Sequence, residues 1–148
     1  MAESIPKPSS PLLPHTSSPR PPLGIIKTIS IARAIFGGAC IFTPHLITQM
    51  FQLPLPRGTE LFPRLFGVRD LVVGELLWLT LRGERTEEQL KQIRRVVWAN
   101  IAIDSIDVVS TIWEFAMGRI AGEAALVTGG GAAVFAAVGA AGLYQIGW

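Results

Sequence analysis

The chain has 148 residues, of which 16% are charged and 49% hydrophobic, with a formal net charge of +2. Soluble domains carry about 25% charged residues, so this balance excludes an ordinary soluble domain and points to a membrane chain. The basic residues are scattered without aromatic interleaving, which excludes a nucleic-acid surface, and the single cysteine, Cys40, excludes an internal disulfide and a Cys-rich metal site.

In chain order, residues 1–23 form a Pro/Ser-rich block (Pro6, Pro8, Pro11, Pro14, Pro19, Pro21, Pro22) with no apolar period, the composition of a disordered tail. A cleaved signal peptide does not fit, because the tail displaces the first apolar stretch and Lys27 and Arg33 interrupt it. A first membrane span is expected at about 24–43, stopped by Pro44, and a second at about 61–81, stopped by Arg82-Gly83. The connection that follows holds Arg82, Glu84, Arg85, Glu87, Glu88, Lys91, Arg94 and Arg95 and belongs in water. A third span is expected at about 96–117, ended by Gly118, and a fourth at about 124–146. From Ala124 to Trp148 there is no charged residue and no histidine. The expected fold is therefore all-α: a four-helix transmembrane bundle, residues 24–148, behind a disordered N-terminal tail.

In the last span Gly129, Ala133, Ala137 and Ala141 recur every fourth residue, as do Ala132, Ala136 and Ala140, a small-residue face suited to close helix packing or to docking a second copy of the chain. The run Gly129-Gly130-Gly131 lacks the Lys-Ser/Thr of a phosphate loop. Lys7, Arg20 and Lys27 share the side of the charged connection, and the opposite side holds little beyond Arg57 and Arg119. Basic residues collect in the cytoplasm, so a multi-pass topology with both termini cytoplasmic is expected. Trp78, Trp98 and Trp148 then fall near the inner boundary and Trp113 near the outer one, while His45, just past Pro44, reads as an interfacial loop residue.

Charges inside the spans are the unusual feature: Arg33 in the first, Arg64, Arg69, Asp70 and Glu75 in the second, Asp104, Asp107 and Glu114 in the third. In the third span nine Leu, Ile, Val or Phe residues return roughly 3–5 kcal/mol on insertion, against about 5–7 kcal/mol lost to Asp104 and Asp107. The carboxylates must turn inward and find partners. Asn100, Asp104, Asp107, Thr111 and Glu114 follow a 4, 3, 4, 3 spacing, which places them on one helix face. The midpoints of the first three spans bring Arg33, Arg69, Asp70, Asp104 and Asp107 to one level, an acid-rich cluster in which a carboxyl group keeps or shares a proton. Asp70, Asp104, Asp107 and Arg69 are the candidate catalytic residues. Arg33, Glu75, Asn100, Glu114 and Trp78 are candidates to hold a bound molecule around them, and Arg64 and Glu114 lie close enough to the outer boundary to snorkel.

The segment Phe66-Gly67-Val68-Arg69-Asp70 with Gly74, the loop from Pro44 to Phe51-Gln52-Leu53-Pro54, and the acidic third span resemble an uncharacterised family of small four-helix membrane proteins of bacteria and fungi, classed as a domain of unknown function. The resemblance covers roughly residues 24–146, and Gly67-x-Arg69-Asp70 is its specific motif. It implies the four-helix fold and no agreed activity. Two departures stand out: Gln52 occupies the place of a loop glycine, and a histidine associated with the start of the fourth helix is missing near Thr128.

Two classes of function follow. The first is a cofactor-free acid/base enzyme acting on a lipophilic biosynthetic intermediate that arrives from the lipid, by epoxide opening, cyclisation or double-bond isomerisation, with the aspartates as proton donor and acceptor and Arg69 orienting one of them. The second is a non-enzymatic membrane subunit or small proton- or cation-linked transporter, oligomeric through the fourth helix. No cofactor motif and no metal-ligand spacing is present. In the alternative to a functional site, Arg69 and Arg33 simply pair the aspartates and lock the register of the bundle without chemistry.

Overall fold

The computed structural model describes residues 23–53, 55–56, 58–82 and 86–147. The expected disordered tail, but for Leu23, lies outside the described residues, as does Trp148. The described residues are all-helical: α1 (Gly24–Phe42), α2 (Pro44–Met50), α3 (Leu61–Thr80), α4 (Glu87–Ala116) and α5 (Gly122–Ile146). α1, α4 and α5 are long and apolar enough to cross a membrane. α3 has suitable length, but Arg64, Arg69, Asp70 and Glu75 interrupt its apolar run.

Two differences from the expected four helices have local causes. Pro44 lacks an N–H and disfavours helical geometry at Thr43, which sits at φ −129°, so α1 stops. The same proline is well suited to the first turn of a new helix, and α2 begins on it, which puts His45 in a helix where a loop was expected. α4 starts at Glu87, so most of the charged connection is helical. Thr86 accepts a hydrogen bond from the Gln89 backbone N–H at 3.2 Å, and Glu87 and Glu88 lie in the first turn, where the helix dipole favours anions.

α2 and α4 end in the same way. After α4, Gly118 takes φ +69°, and the N–H groups of Gly118 and Arg119 donate back to the carbonyls of Phe115 and Glu114 at 2.9 and 3.0 Å. After α2, Gln52 takes φ +55°, and the N–H groups of Gln52 and Leu53 donate to Gln49 and Thr48 at 3.0 and 2.9 Å. This is the Schellman arrangement, whose left-handed position favours glycine. A glutamine there costs on the order of 1 kcal/mol, so Gln52→Gly is expected to raise the melting temperature of the solubilised protein by a few degrees. An unchanged or lower melting temperature would mean that the Gln52 side chain makes up for the strain.

α1 packs chiefly on α3 and α4 on α5, and the two pairs meet through α1 with α5 and α3 with α4. α1 and α3 run antiparallel at backbone contact. A Cβ on Gly37 would lie 2.5 Å from the Gly67 carbonyl oxygen, one on Gly67 2.5 Å from the Gly37 oxygen, and one on Gly74 2.8 Å from the Ser30 oxygen. The Ser30 hydroxyl donates to the Gly74 carbonyl at 2.9 Å. Gly67→Ala is expected to cost about 1–3 kcal/mol through forced separation of α1 and α3. Parent-like thermal stability of that variant would show that the interface has room to adjust.

The bundle is layered along its axis. One end is an apolar plug of Ile26, Ile29, Leu77, Ile93, Val97, Leu143 and Ile146, and Arg94 donates to the Ile146 carbonyl at the C-terminus of α5, at 3.4 Å. The buried polar residues Ser30, Arg33, Asp70, Asn100 and Asp104 occupy the middle. Outside, large apolar side chains are exposed on every long helix, among them Ile35, Phe62, Ile106, Val109, Ile112, Leu126 and Val134.

Candidate functional site

The glycine contacts of α1 and α3 decide which side chains meet. Arg33 lies between Ser30 and Gly37, and Asp70 lies between Gly67 and Gly74, so both fall on the faces that touch. Arg33 Nη1 donates to Asp70 Oδ1 at 2.6 Å, and its Nη2 donates to both carboxylate oxygens of Asp104 on α4. The Phe135 ring of α5 covers the guanidinium at 4.7 Å. All three charged side chains are sealed, at 1% exposure for Arg33 and 4% for each aspartate. Arg33 Nε finds no partner among the described residues.

The second pair is open. Arg69 Nη1 and Nη2 donate to the two oxygens of Asp107 at 2.9 and 2.8 Å, a two-pronged contact, and Nη2 also reaches Asp70 Oδ1 at 3.5 Å. The Phe66 ring lies 4.2 Å from the Arg69 guanidinium. Arg69 and Asp107 keep 31% and 26% of their side-chain surface. The five groups form one alternating row: Asp104, Arg33, Asp70, Arg69, Asp107. Two guanidiniums and three carboxyl groups leave one negative charge if all are ionised, and a single proton makes the row neutral.

A cavity of about 400 Å³ lies against this row, walled by Phe36, Phe51, Phe66 and Phe135 and reached by Asp107, Ser110 and Glu114 from α4. The apolar plug closes the bundle at one end, so the cavity belongs to the other half.

The residues expected at the site separate into groups. Arg69, Asp70, Asp104 and Asp107 come together, and Arg33, expected in the cluster as a residue that holds a bound molecule, pairs Asp70 and Asp104 at its centre. Glu114 lines the cavity with its carboxylate 3.1 Å from Arg119. Asn100 is buried one turn before Asp104, with its Oδ1 unpartnered among the described residues, and does not line the cavity. Glu75 is exposed and stands apart, because the inward face of α3 is set by Gly67, Asp70, Gly74 and Leu77. Trp78 is two turns from Asp70, with Lys27 and Arg82 over its ring at 5.4 and 5.6 Å. Arg64 is exposed and does not reach the cavity. Among the described residues no three His, Cys, Asp or Glu side chains are placed to hold a metal ion.

Sequence reasoning passed over the aromatic wall. Its signal was the helical spacing of Phe36 from Arg33 and of Phe66 from Arg69, three residues in each case. Thr128, where the resemblance implied a missing histidine, does line the cavity, and its hydroxyl donates to the Ala124 carbonyl at 2.6 Å.

No known protein family, no curated protein and no solved structure matches the chain.

Proposed function

We propose that the chain crosses the membrane four times, with both termini cytoplasmic, and is a cofactor-free acid/base enzyme acting on a lipophilic molecule that enters the cavity from the lipid. The observation that carries this reading is the division of the charged row. All five groups line the cavity, but Arg33, Asp70 and Asp104 keep almost no exposed surface, whereas Arg69 and Asp107 keep 31% and 26% of theirs towards a space large enough for a ligand.

Exposed apolar side chains on all four long helices support the membrane crossing, including that by α3, whose Arg69 and Asp70 are paired inward. The first turns of α4, with Glu87, Glu88, Lys91 and Arg95 exposed, extend past the inner boundary. Gly67 and Asp70 meet α1 and Arg69 meets Asp107 of α4, so every fixed position of the motif makes an interhelical contact, which supports membership in the four-helix family that the motif resembles. With cysteines at Thr86 and Thr59, a membrane-impermeant thiol reagent is expected to label them from opposite sides. Labelling from one side alone would overturn the topology.

In the chemistry, Asp107 is the end of the row that meets the substrate. As a carboxylic acid it gives its proton to an epoxide oxygen as the C–O bond breaks, or to an alkene carbon, and as the resulting carboxylate it takes a proton back, from the hydroxyl group that attacks the opened epoxide or from a carbon next to the alkene-derived cation. Arg69 orients it, and Asp70 and Asp104 with Arg33 hold the rest of the row at fixed charge. Membranes carrying the protein, incubated with lipophilic epoxides and polyenes, should show conversion that Asp107→Asn membranes lack. Equal conversion by both would remove the role given to Asp107.

A second reading, a membrane subunit or proton-linked transporter, draws on α5. Its Ala133, Ala137 and Ala141 are exposed, a face able to dock a second copy.

A further inference from the structure

A second cavity, about 280 Å³, lies between α1, α2 and the start of α3 and shares Phe36, Phe51, Leu53, Phe66 and Thr128 with the charged chamber. The Phe36 ring meets Phe51 at 5.6 Å and Phe66 edge-on at 6.1 Å, so three rings form the partition between the two spaces. Phe66 carries the guanidinium of Arg69. Beyond the partition the wall is apolar, with Ile47, Leu55 and Phe62 added and with the free thiol of Cys40, a weak donor. Its two threonines use their hydroxyl protons within their own helices, Thr48 on the carbonyls of Pro44 and His45 and Thr128 on that of Ala124.

One chamber thus offers a charged pair, and its annex offers no charged group and no free hydroxyl proton. An oxygen function seated in the annex would meet no donor stronger than the Cys40 thiol, whereas methylene groups or rings lose nothing there. We propose that the annex binds the unfunctionalised hydrocarbon body of the substrate while its one oxygen function sits at Arg69 and Asp107. The substrate class is an oxygenated hydrocarbon with all its polarity at one end. The inference rests on the acid/base reading for the orientation of the molecule, but occupancy of the annex is measured without activity.

The test uses the full chain in phosphatidylcholine nanodiscs and three photoreactive probes with a mid-chain diazirine: hexadecan-1-ol, hexadecane-1,16-diol and a phosphatidylcholine. The alcohol is expected to label peptides of α1, α2 and the start of α3, to be displaced by unlabelled hexadecanol, and to bind about tenfold or more tightly than the diol, whose second hydroxyl is stranded. Ile47→Trp and Leu55→Trp, which fill the annex from a helix and from a loop, should each remove that labelling in protein that still elutes as a folded species. Equal labelling by alcohol and diol, or labelling by the phosphatidylcholine probe that unlabelled hexadecanol does not displace, would show a lipid-filled crevice and overturn the proposal. Annex labelling as expected, together with full activity of Asp107→Asn, would leave this inference standing and remove the catalytic reading instead.

Discussion

Arg33→Leu is expected to destabilise the protein by about 3–5 kcal/mol, the cost of stranding buried charge, which corresponds to a fall in melting temperature of about 10 °C or more. The reason is geometric. Asp70 and Asp104 are almost fully buried, and Arg33 supplies the short contact to each of them. Without it Asp104 has no cation in hydrogen-bond reach among the described residues, and Asp70 retains Arg69 alone, at 3.5 Å. The lost packing under Phe135 is a smaller term, since leucine keeps much of the apolar stem. The triple variant Arg33→Leu, Asp70→Leu, Asp104→Leu removes all three charges and leaves Arg69 and Asp107 as a neutral pair. It is expected to recover most of the loss, because replacing a complete buried ion cluster by apolar groups is often neutral or stabilising. Thermal unfolding in detergent distinguishes the two variants. A single variant as stable as the parent would mean that water or a proton satisfies the aspartates without Arg33.

The levels of these groups could be read from the sequence, but their partners could not. Span midpoints bring Arg33, Arg69, Asp70, Asp104 and Asp107 together, and the spacing of Asn100, Asp104, Asp107, Thr111 and Glu114 marks one face of α4. Glu75 shares that depth and still points away, since azimuth on α3 is fixed by Gly67 and Gly74 against α1, a contact that neither helix announces alone. For the same reason the sequence puts Arg33 at the level of the cluster without showing that Asp70 and Asp104 are its two partners. Its central place follows from Gly37 and Ser30, which lie on its own face of α1 and bring that face against α3. The small-residue face read from the sequence was that of α5, of which Gly129 meets Thr111 while Ala133, Ala137 and Ala141 are exposed, and the backbone contact lies between α1 and α3. α2 was missed because seven residues are too few to display a period. The early start of α4 was missed because hydropathy hides the polar capping pattern from Thr86 to Gln89.

Asp107→Asn is expected to leave a folded protein and to lower turnover of the accepted substrate by about 10²–10⁴-fold, the usual contribution of a positioned acid or base. Asparagine is nearly isosteric and keeps one of the two acceptors that Arg69 uses, so the partly exposed pair loses its charge and one hydrogen bond at a cost the fold can bear. Arg69→Leu with Asp107→Leu is the companion variant. It removes both members of the open pair, so no charge is stranded, and a partly exposed ion pair is worth on the order of 1 kcal/mol. Stability close to the parent with activity abolished is therefore the expected result for the double variant. Ion pairs that served only to fix helix register would give another pattern, with the double variant active and any loss confined to stability. Full turnover by Asp107→Asn in membranes, with protein present at parent levels, would leave Asp107 without a chemical role and return the open pair to the structural class of the sealed one.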